Sequence, residues 1–337
     1  MKGQNDYWYK GVVRKKSLAF LTFWITLLLL TGGCTGKNSA ADLSPSPESL
    51  SSSIQPSDDG ADETAGYQRV VVLYHSYLEL WDLAGGEAVV GIVDPDGRDL
   101  PDCGKDAEIL GTVGTVNTEL LLSLQPDFAI VSQSMNGQEV IQFLDDHQIP
   151  WIDPDYNSFP EYLEQLKTFC DLTGKTENFA AYGTALEQEI EKLKDRAAEL
   201  LQSQEAPTVL HIFASSKGIK VRFSDSTAGS ILEDLGADNL SDQFRVGEED
   251  SQLLSIEKLI ELDPDFIFVQ FMGSSEAAKE LLNETLFENP ALEGLTALTK
   301  GQILMLPREL FHYKPNQRFA ESYQWMYDTL YEGKNRE

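Results

Sequence analysis

Two spacings of apolar residues alternate along this chain. Short apolar runs bounded by polar or turn residues predict buried strands at Arg69–Tyr74, Ala88–Val93, Pro150–Asp153, Thr208–Ala214, Gly218–Phe223, Phe266–Phe271 and Gln302–Leu306. Helical spacing lies between them: Tyr77–Ala84, ended by Gly85-Gly86; Gln138–His147; Ser226–Leu235, ended by Gly236; and a closing helix, Asn316–Tyr331, behind Pro315. Ser76-x-x-Glu79 fits a capping box, which predicts that the first of these helices starts at Ser76. Strands that alternate with helices predict parallel sheets with crossover connections.

The longest stripe runs from Glu177 to Gln202. Its apolar residues are Phe179, Tyr182, Leu186, Ile190, Leu193, Ala197 and Leu200, spaced by three or four, with neither Gly nor Pro after Gly183. At about 1.5 Å per residue such a helix spans about 39 Å. That is long enough to join two lobes, and as their single covalent link it predicts a stiff hinge.

An internal repeat supports two lobes. Asn117–Val131 (NTELLLSLQPDFAIV) aligns without a gap on Ser255–Val269 (SIEKLIELDPDFIFV), with seven of fifteen positions identical at an offset of 138 residues. Each copy reads as a short helix, a Pro-Asp turn and a buried strand. Two copies this far apart predict two similar lobes rather than a solenoid. The expected fold is therefore α/β: two similar lobes with parallel-sheet cores, joined by one long helix, with a ligand cleft between the lobes. The expected boundaries are a signal peptide at 1–33, a tether at 34–66, an N-terminal lobe at 67–174, a linking helix at 175–204 and a C-terminal lobe at 205–332.

The leader places the protein outside the cytoplasm. Lys2, Lys10, Arg14, Lys15 and Lys16 form a basic region ahead of the apolar run Leu18–Leu30, which has signal-peptide length and is short for a bilayer span. Thr31-Gly-Gly-Cys34 resembles a bacterial lipobox, which implies lipidation of Cys34; the departure is Thr31, where leucine is usual. The alternative is an uncleaved N-terminal anchor, and either form tethers the chain outside the cytoplasmic membrane. Residues 35–66, rich in Ser, Pro, Asp, Ala and Gly, lack apolar periodicity and predict a flexible tether. The formal charge is −29, and the first 33 residues carry five basic side chains and one acid, so their removal leaves −33. Such a charge excludes nucleic acid and disfavours an anionic membrane face as partners. Of three cysteines, Cys103 and Cys170 remain beyond the leader; they could pair in an oxidising compartment, or Cys170 could be an ordinary buried thiol of a helix.

Signal peptide, lipobox, tether, lobe, long helix and second lobe together resemble the substrate-binding lipoproteins of ABC importers for iron–siderophores, haem and cobalamin. The resemblance covers residues 67–331. Its most specific pieces are Glu119–Asp127, the second copy Glu257–Asp265, and Leu310-Phe-His-Tyr-Lys-Pro-Asn316. It implies an ABC permease and its ATPase as partners, a monomeric binding protein with no intrinsic cofactor, and docking of the permease on Glu119 and Glu257, one glutamate per lobe. The plainer reading of both residues is a solvated acid that favours a helix N-terminus.

Ligands of open α/β sheets bind beyond the carboxyl ends of the strands. In the first lobe that rule selects Tyr74, His75, Ser76 and Tyr77, together with the loop holding Met135 and Asn136. In the second it selects the Ser224–Thr227 loop with Arg222 before it, then Phe271 and Met272, and the loop holding Arg308, His312, Tyr313 and Lys314. Aromatic rings suit a large ring-bearing ligand, and cations in so acidic a chain would favour an anionic ferric chelate. Arg308 and Lys314 could instead pair with the protein's own carboxylates. Of four histidines, His147 and His211 sit in helix and strand patterns; His75 and His312 fall in opposing loops and could ligate a haem iron. The expected ligand is an iron complex, a ferric siderophore first, with haem, cobalamin and other chelates or oxyanions as alternatives. No nucleophile elbow, phosphate loop, dinucleotide fingerprint or zinc-protease motif is present, so an enzyme is not expected. A sensor or scavenger lipoprotein without a transporter is the other alternative.

Overall fold

The computed structural model describes residues 66–247, 249, 251–271 and 276–335. The leader, Cys34 and Met272 lie outside the described residues, as does nearly all of the tether. In the first lobe β1 (Val70–Val72), β2 (Val89–Ile92), β3 (Glu108–Ile109), β4 (Phe128–Ile130) and β5 (Trp151–Ile152) form one sheet in the order β3-β2-β1-β4-β5. Every pairing in it is parallel. Val70 and Val72 enter one apolar cluster and Val71 and Leu73 another, so β1 is buried on both faces, which is why it reads as an unbroken apolar run. The helices include α1 (His75–Leu83), α2 (Thr118–Ser123), α3 (Gln138–Asp146) and α4 (Phe159–Thr173).

The linking segment is helical over residues 178–201. It opens with a π-helical stretch, Ala180–Thr184, and continues as α5 (Ala185–Leu201), burying Ile190, Leu193 and Ala197. The second sheet contains β6 (Thr208–Ser215), β7 (Gly218–Arg222), β8 (Asp238–Asn239), β9 (Ser251–Leu253), β10 (Phe266–Phe271) and β11 (Ile303–Met305), in the order β9-β7-β6-β10-β11 with β8 beside the start of β6. Its core of β6, β10 and β11 is parallel. The β7 and β9 strands extend it in the antiparallel sense. The cause is the two residues between β6 and β7, enough for a hairpin and far too few for a parallel crossover. The helices of this lobe include α6 (Thr227–Asp234), α7 (Ile256–Leu262) and α8 (Phe319–Tyr331).

The repeat is structural as well as sequential. Asn117 and Ser255 each cap their helix by accepting from the backbone N–H three residues on. Gln125 and Asp263, at equivalent positions before the proline, both adopt the left-handed conformation, with φ of +49° and +40°. Asp127 accepts from the backbone N–H groups of Gln68 and Arg69 just ahead of β1, and Asp265 accepts from the N–H and hydroxyl of Thr208 at the start of β6. Each aspartate thus fastens the start of the strand beside its own. Burial alone would raise the Asp265 pKa; hydrogen bonds from Lys300 and Thr208 outweigh it and hold the carboxyl below its usual value.

The lobes are less independent than a single covalent link suggests. One apolar cluster runs from Val70 and Phe128 in the first sheet, through Tyr162, Ile190 and Tyr323, to Val209, Phe266 and Phe268 in the second. Rings of Phe159 and Tyr162 from α4 meet Phe319 of α8 at centroid separations of 5.4 and 5.3 Å. The linking helix is therefore one wall of a shared core. Two local expectations also change. The first helix starts at His75 with Tyr74 in the capping position and no side-chain cap; the Glu79 carboxylate accepts from Asn316 and lies 3.2 Å from His75 Nε2 instead of closing a capping box. Cys103 and Cys170 are both free thiols.

Candidate functional site

The strand order of the first sheet reverses at β1, which has β2 on one side and β4 on the other, so loops diverge there and leave a crevice. Loops from the carboxyl ends of β1, β2 and β5 meet the segment that follows β11 of the second sheet. Arg308 Nη2 lies 3.4 Å from Asp96 Oδ2, and Ser230 Oγ of α6 donates to the carbonyl of Asn157. The Arg98 guanidinium covers the ring of Tyr313 at 4.1 Å from its centroid, and that of Arg308 lies 5.2 Å from the same ring. One tyrosine from the second lobe therefore has a cation from each lobe beside it. Arg98 Nε donates to the carbonyl of Pro95, while its Nη1 is buried without a hydrogen-bond partner. Burial lowers the Arg98 pKa, and Tyr313, Glu79 and Tyr74 act against that shift.

The aromatic residues expected here do gather. Tyr74 and Tyr77 meet edge to face at 4.9 Å, and the Tyr77 hydroxyl reaches Asp153 Oδ1 at 3.4 Å. Burial pushes both phenols upward, so neither ionises near neutrality. Burial likewise raises the Asp153 carboxyl, with Asp155 adding to the effect. His312 packs edge to face on Tyr313 at 5.0 Å. Its pKa is lowered by burial and then by Arg308 and Arg98, which keeps the imidazole neutral, and its Nδ1 is buried without a partner.

Other expected residues are placed differently. The His75 side chain is 1% exposed with Nε2 3.2 Å from Glu79 Oε1 inside the first turns of α1, so it does not face His312 across open space. Among the described residues no three His, Cys, Asp or Glu side chains converge to hold a metal ion. Ser76 is wholly buried. Asn136 accepts from the N–H of Ser132 and donates to the carbonyls of Leu73 and Val113, bracing the loops that follow β1 and β4. Met135 is exposed. Arg222 ends β7 beside His211 and helps, after burial, to lower that histidine's pKa to about 3. Phe271 ends β10, half-buried. Glu119 and Glu257 are exposed in the first turns of α2 and α7.

Lys314 and Asn316 form a fastening between the lobes. Lys314 Nζ donates to Asp155 Oδ1 at 3.1 Å, to Asn157 Oδ1 at 3.0 Å and to the carbonyl of Tyr156. Asn316, 1% exposed, donates to the carbonyl of Ser76 at 2.9 Å and to Glu79 Oε2 at 2.8 Å, and accepts from the Tyr156 hydroxyl. The Leu310–Asn316 segment is thus anchored to the opposite lobe, and Lys314 has all three of its donors engaged inside the protein. Sequence reasoning missed Arg98, Asp96, Asp153 and Asp155, which sit in loops without periodicity; the one available signal was the rule that directs ligands to strand ends, applied to β2 and β5.

The sequence profile of a family described as periplasmic binding protein matches residues 70–310. The chain belongs to that family. No curated protein matches it in sequence. Among solved structures, this periplasmic binding protein is similar to Staphylococcus aureus IsdE complexed with heme (19% identity, TM-score 0.68, covering 79% of this chain and 100% of that one). It is also similar to an ABC transporter substrate-binding protein from Listeria monocytogenes EGD-e (17%, 0.68, 79% and 99%). A third is the periplasmic vitamin B12 binding protein BtuF of Vibrio cholerae (18%, 0.62, 79% and 97%). At these identities the likeness is one of fold: two α/β lobes around a cleft. The periplasmic binding protein family is one of binding proteins rather than enzymes, and among the described residues no helix is long and apolar enough to cross a membrane.

Proposed function

We propose that this periplasmic binding protein is the substrate-binding lipoprotein of an ABC importer, and that it captures an acidic iron chelate, a ferric siderophore, between lobes 67–174 and 205–332. The carrying observation is the pair of guanidiniums, Arg98 and Arg308, on either side of the cleft and both against Tyr313. Both cations lie beside a half-buried ring in a chain of formal charge −29; Arg308 is shared with Asp96 at 3.4 Å, and the buried Nη1 of Arg98 has no hydrogen-bond partner in the protein, so an anionic, ring-bearing ligand would engage it there. Lipidation at Cys34 would hold the protein on the outer face of the cytoplasmic membrane, and Glu119 and Glu257 would meet the permease that receives the chelate, with its ATPase driving transport. The protein works as a monomer, and its iron arrives with the ligand.

The test is a titration of the purified protein with ferric citrate, a ferric hydroxamate, haem and cobalamin, followed by visible absorption and tryptophan quenching. The expected result is preference for an acidic ferric complex, with Arg98→Ala and Arg308→Ala each weakening it about ten- to a hundredfold. Binding of none of the four, or equal binding by the arginine variants, refutes the reading. Haem is the second reading, favoured by the unpartnered Nδ1 of His312 beside Tyr313; a Soret shift lost in His312→Ala would establish it in place of the first.

A further inference from the structure

The contacts that cross between the lobes are not equally hard to break. The Lys314 side chain is 14% exposed and Asn316 1%, so parting either would strand buried polar groups. Arg308 and Asp96 differ: their side chains are 45% and 74% exposed, and water can take up both when they separate. Their single contact of 3.4 Å is long for a charge-assisted hydrogen bond, and an exposed pair of this kind shifts an equilibrium by no more than about fivefold. Stability therefore does not account for it. The backbone beneath Asp96 is nevertheless fixed. Asp96 and Gly97, with φ of +53° and +76°, are the central residues of the turn Pro95–Arg98, closed by the Arg98 N–H on the carbonyl of Pro95 at 3.2 Å. The Asp96 N–H also donates to Asp94 Oδ1 at 2.8 Å. One turn thus carries Arg98 against the Tyr313 ring and sets Asp96 on Arg308.

Resting on the reading of an acidic ferric chelate, we propose that Asp96 is a specificity-determining residue: its carboxylate keeps the place on Arg308 that a carboxylate of the ligand takes, and returns to it when the ligand leaves. A planar guanidinium binds a carboxylate best through two parallel N–H donors, whereas Asp96 makes one long contact, so an incoming carboxylate makes the stronger pair. The guanidinium stays in position during the exchange, because it also lies 5.2 Å from the Tyr313 ring. A ligand that binds only Arg308 gains little over Asp96, which is tethered beside it at high effective concentration. One whose acidic groups span Arg308 and Arg98 also reaches the buried Nη1 that Asp96 leaves unpartnered. The ligand class is therefore a polycarboxylate chelate with a carboxylate free of the iron, rather than a neutral hydroxamate complex or a lone small anion. The same exchange gives the protein a way to let go: as the ligand's carboxylate loosens, Asp96 competes for Arg308 and shortens the lifetime of the complex.

The test compares Asp96→Asn with the wild-type protein by stopped-flow tryptophan fluorescence with ferric citrate, where relaxation rates against concentration give the association and dissociation rate constants. Asparagine suits the left-handed backbone of the turn and removes only the charge. Release from Asp96→Asn should be slower by about two- to fivefold, and the difference should vanish when both proteins also carry Arg308→Ala. Unchanged or faster release, or equal slowing in the Arg308→Ala background, overturns the proposal. Preference of the wild-type protein for the ferric hydroxamate over ferric citrate also overturns it and leaves capture of an iron chelate standing. Binding of no ferric complex, haem or cobalamin overturns both. A second measurement needs no ligand: modification of Arg308 by phenylglyoxal, followed by peptide mass, should run about two- to fivefold faster in Asp96→Asn. Equal rates in the two proteins overturn the proposal.

Discussion

Replacing Asn316 by alanine removes the most buried part of the fastening between lobes. The side chain makes three hydrogen bonds, to the carbonyl of Ser76, to Glu79 and from the hydroxyl of Tyr156. Tyr156 is 1% exposed, so its hydroxyl would be left without an acceptor and without water, at a cost of about 1–3 kcal/mol. The bond to the Glu79 carboxylate is charge-assisted and worth about 1.5–3 kcal/mol. Asn316 also sits at φ +52°, a left-handed conformation that asparagine tolerates better than alanine by about 1 kcal/mol. The expected loss is about 4 kcal/mol for Asn316→Ala and about 1 kcal/mol less for Asn316→Gly, which relieves the backbone but not the hydrogen bonds. Urea unfolding followed by tryptophan fluorescence measures both. A loss below about 1 kcal/mol for the alanine variant would show that the contact is incidental and that the shared apolar core alone couples the lobes.

Three further outcomes are predicted. His211 is buried with its pKa lowered to about 3, so the unfolded chain takes up a proton near pH 6.5 that the folded chain refuses; stability should rise with pH between about 3 and 6.5, by up to about 1.4 kcal/mol per unit, and His211→Asn should flatten that slope in unfolding experiments across the window. Asp127→Asn and Asp265→Asn remove equivalent strand fastenings and should each cost about 1–2 kcal/mol in thermal or urea unfolding; a loss confined to one lobe would contradict the structural equivalence of the repeat. Burial raises the thiol pKa of both Cys103 and Cys170, so both should react with a thiol reagent slowly in the native state and readily after unfolding; a Cys103–Cys170 disulfide in the mass spectrum would contradict the structure.

The strands were legible because their burial is local. Val70–Val72 and Phe266–Phe271 lie within the apolar runs that predict them, since a central parallel strand must be apolar on both faces. The hairpin sense of β7 was also available, in the two residues that separate it from β6. What could not be read is what depends on partners far along the chain. Glu79 completes a capping box by spacing, yet its carboxylate is held by Asn316, 237 positions away, and the helix begins one residue earlier. Lys314 looked like a cation free for a ligand, and its three acceptors lie more than 150 residues upstream. Arg98 had no local pattern at all; only the approach of Tyr313 gives it a role.

The fastening at Lys314 and Asn316 also decides what kind of movement the molecule allows. A body attached at one point can swing in any direction, whereas one attached at two can turn only about the line through them. The linking helix supplies the first attachment and the Lys314–Asn316 segment the second. The apolar core that runs through both sheets and the Ser230–Asn157 bond add further ties, so the lobes behave as one stiff body rather than as two freely swinging halves.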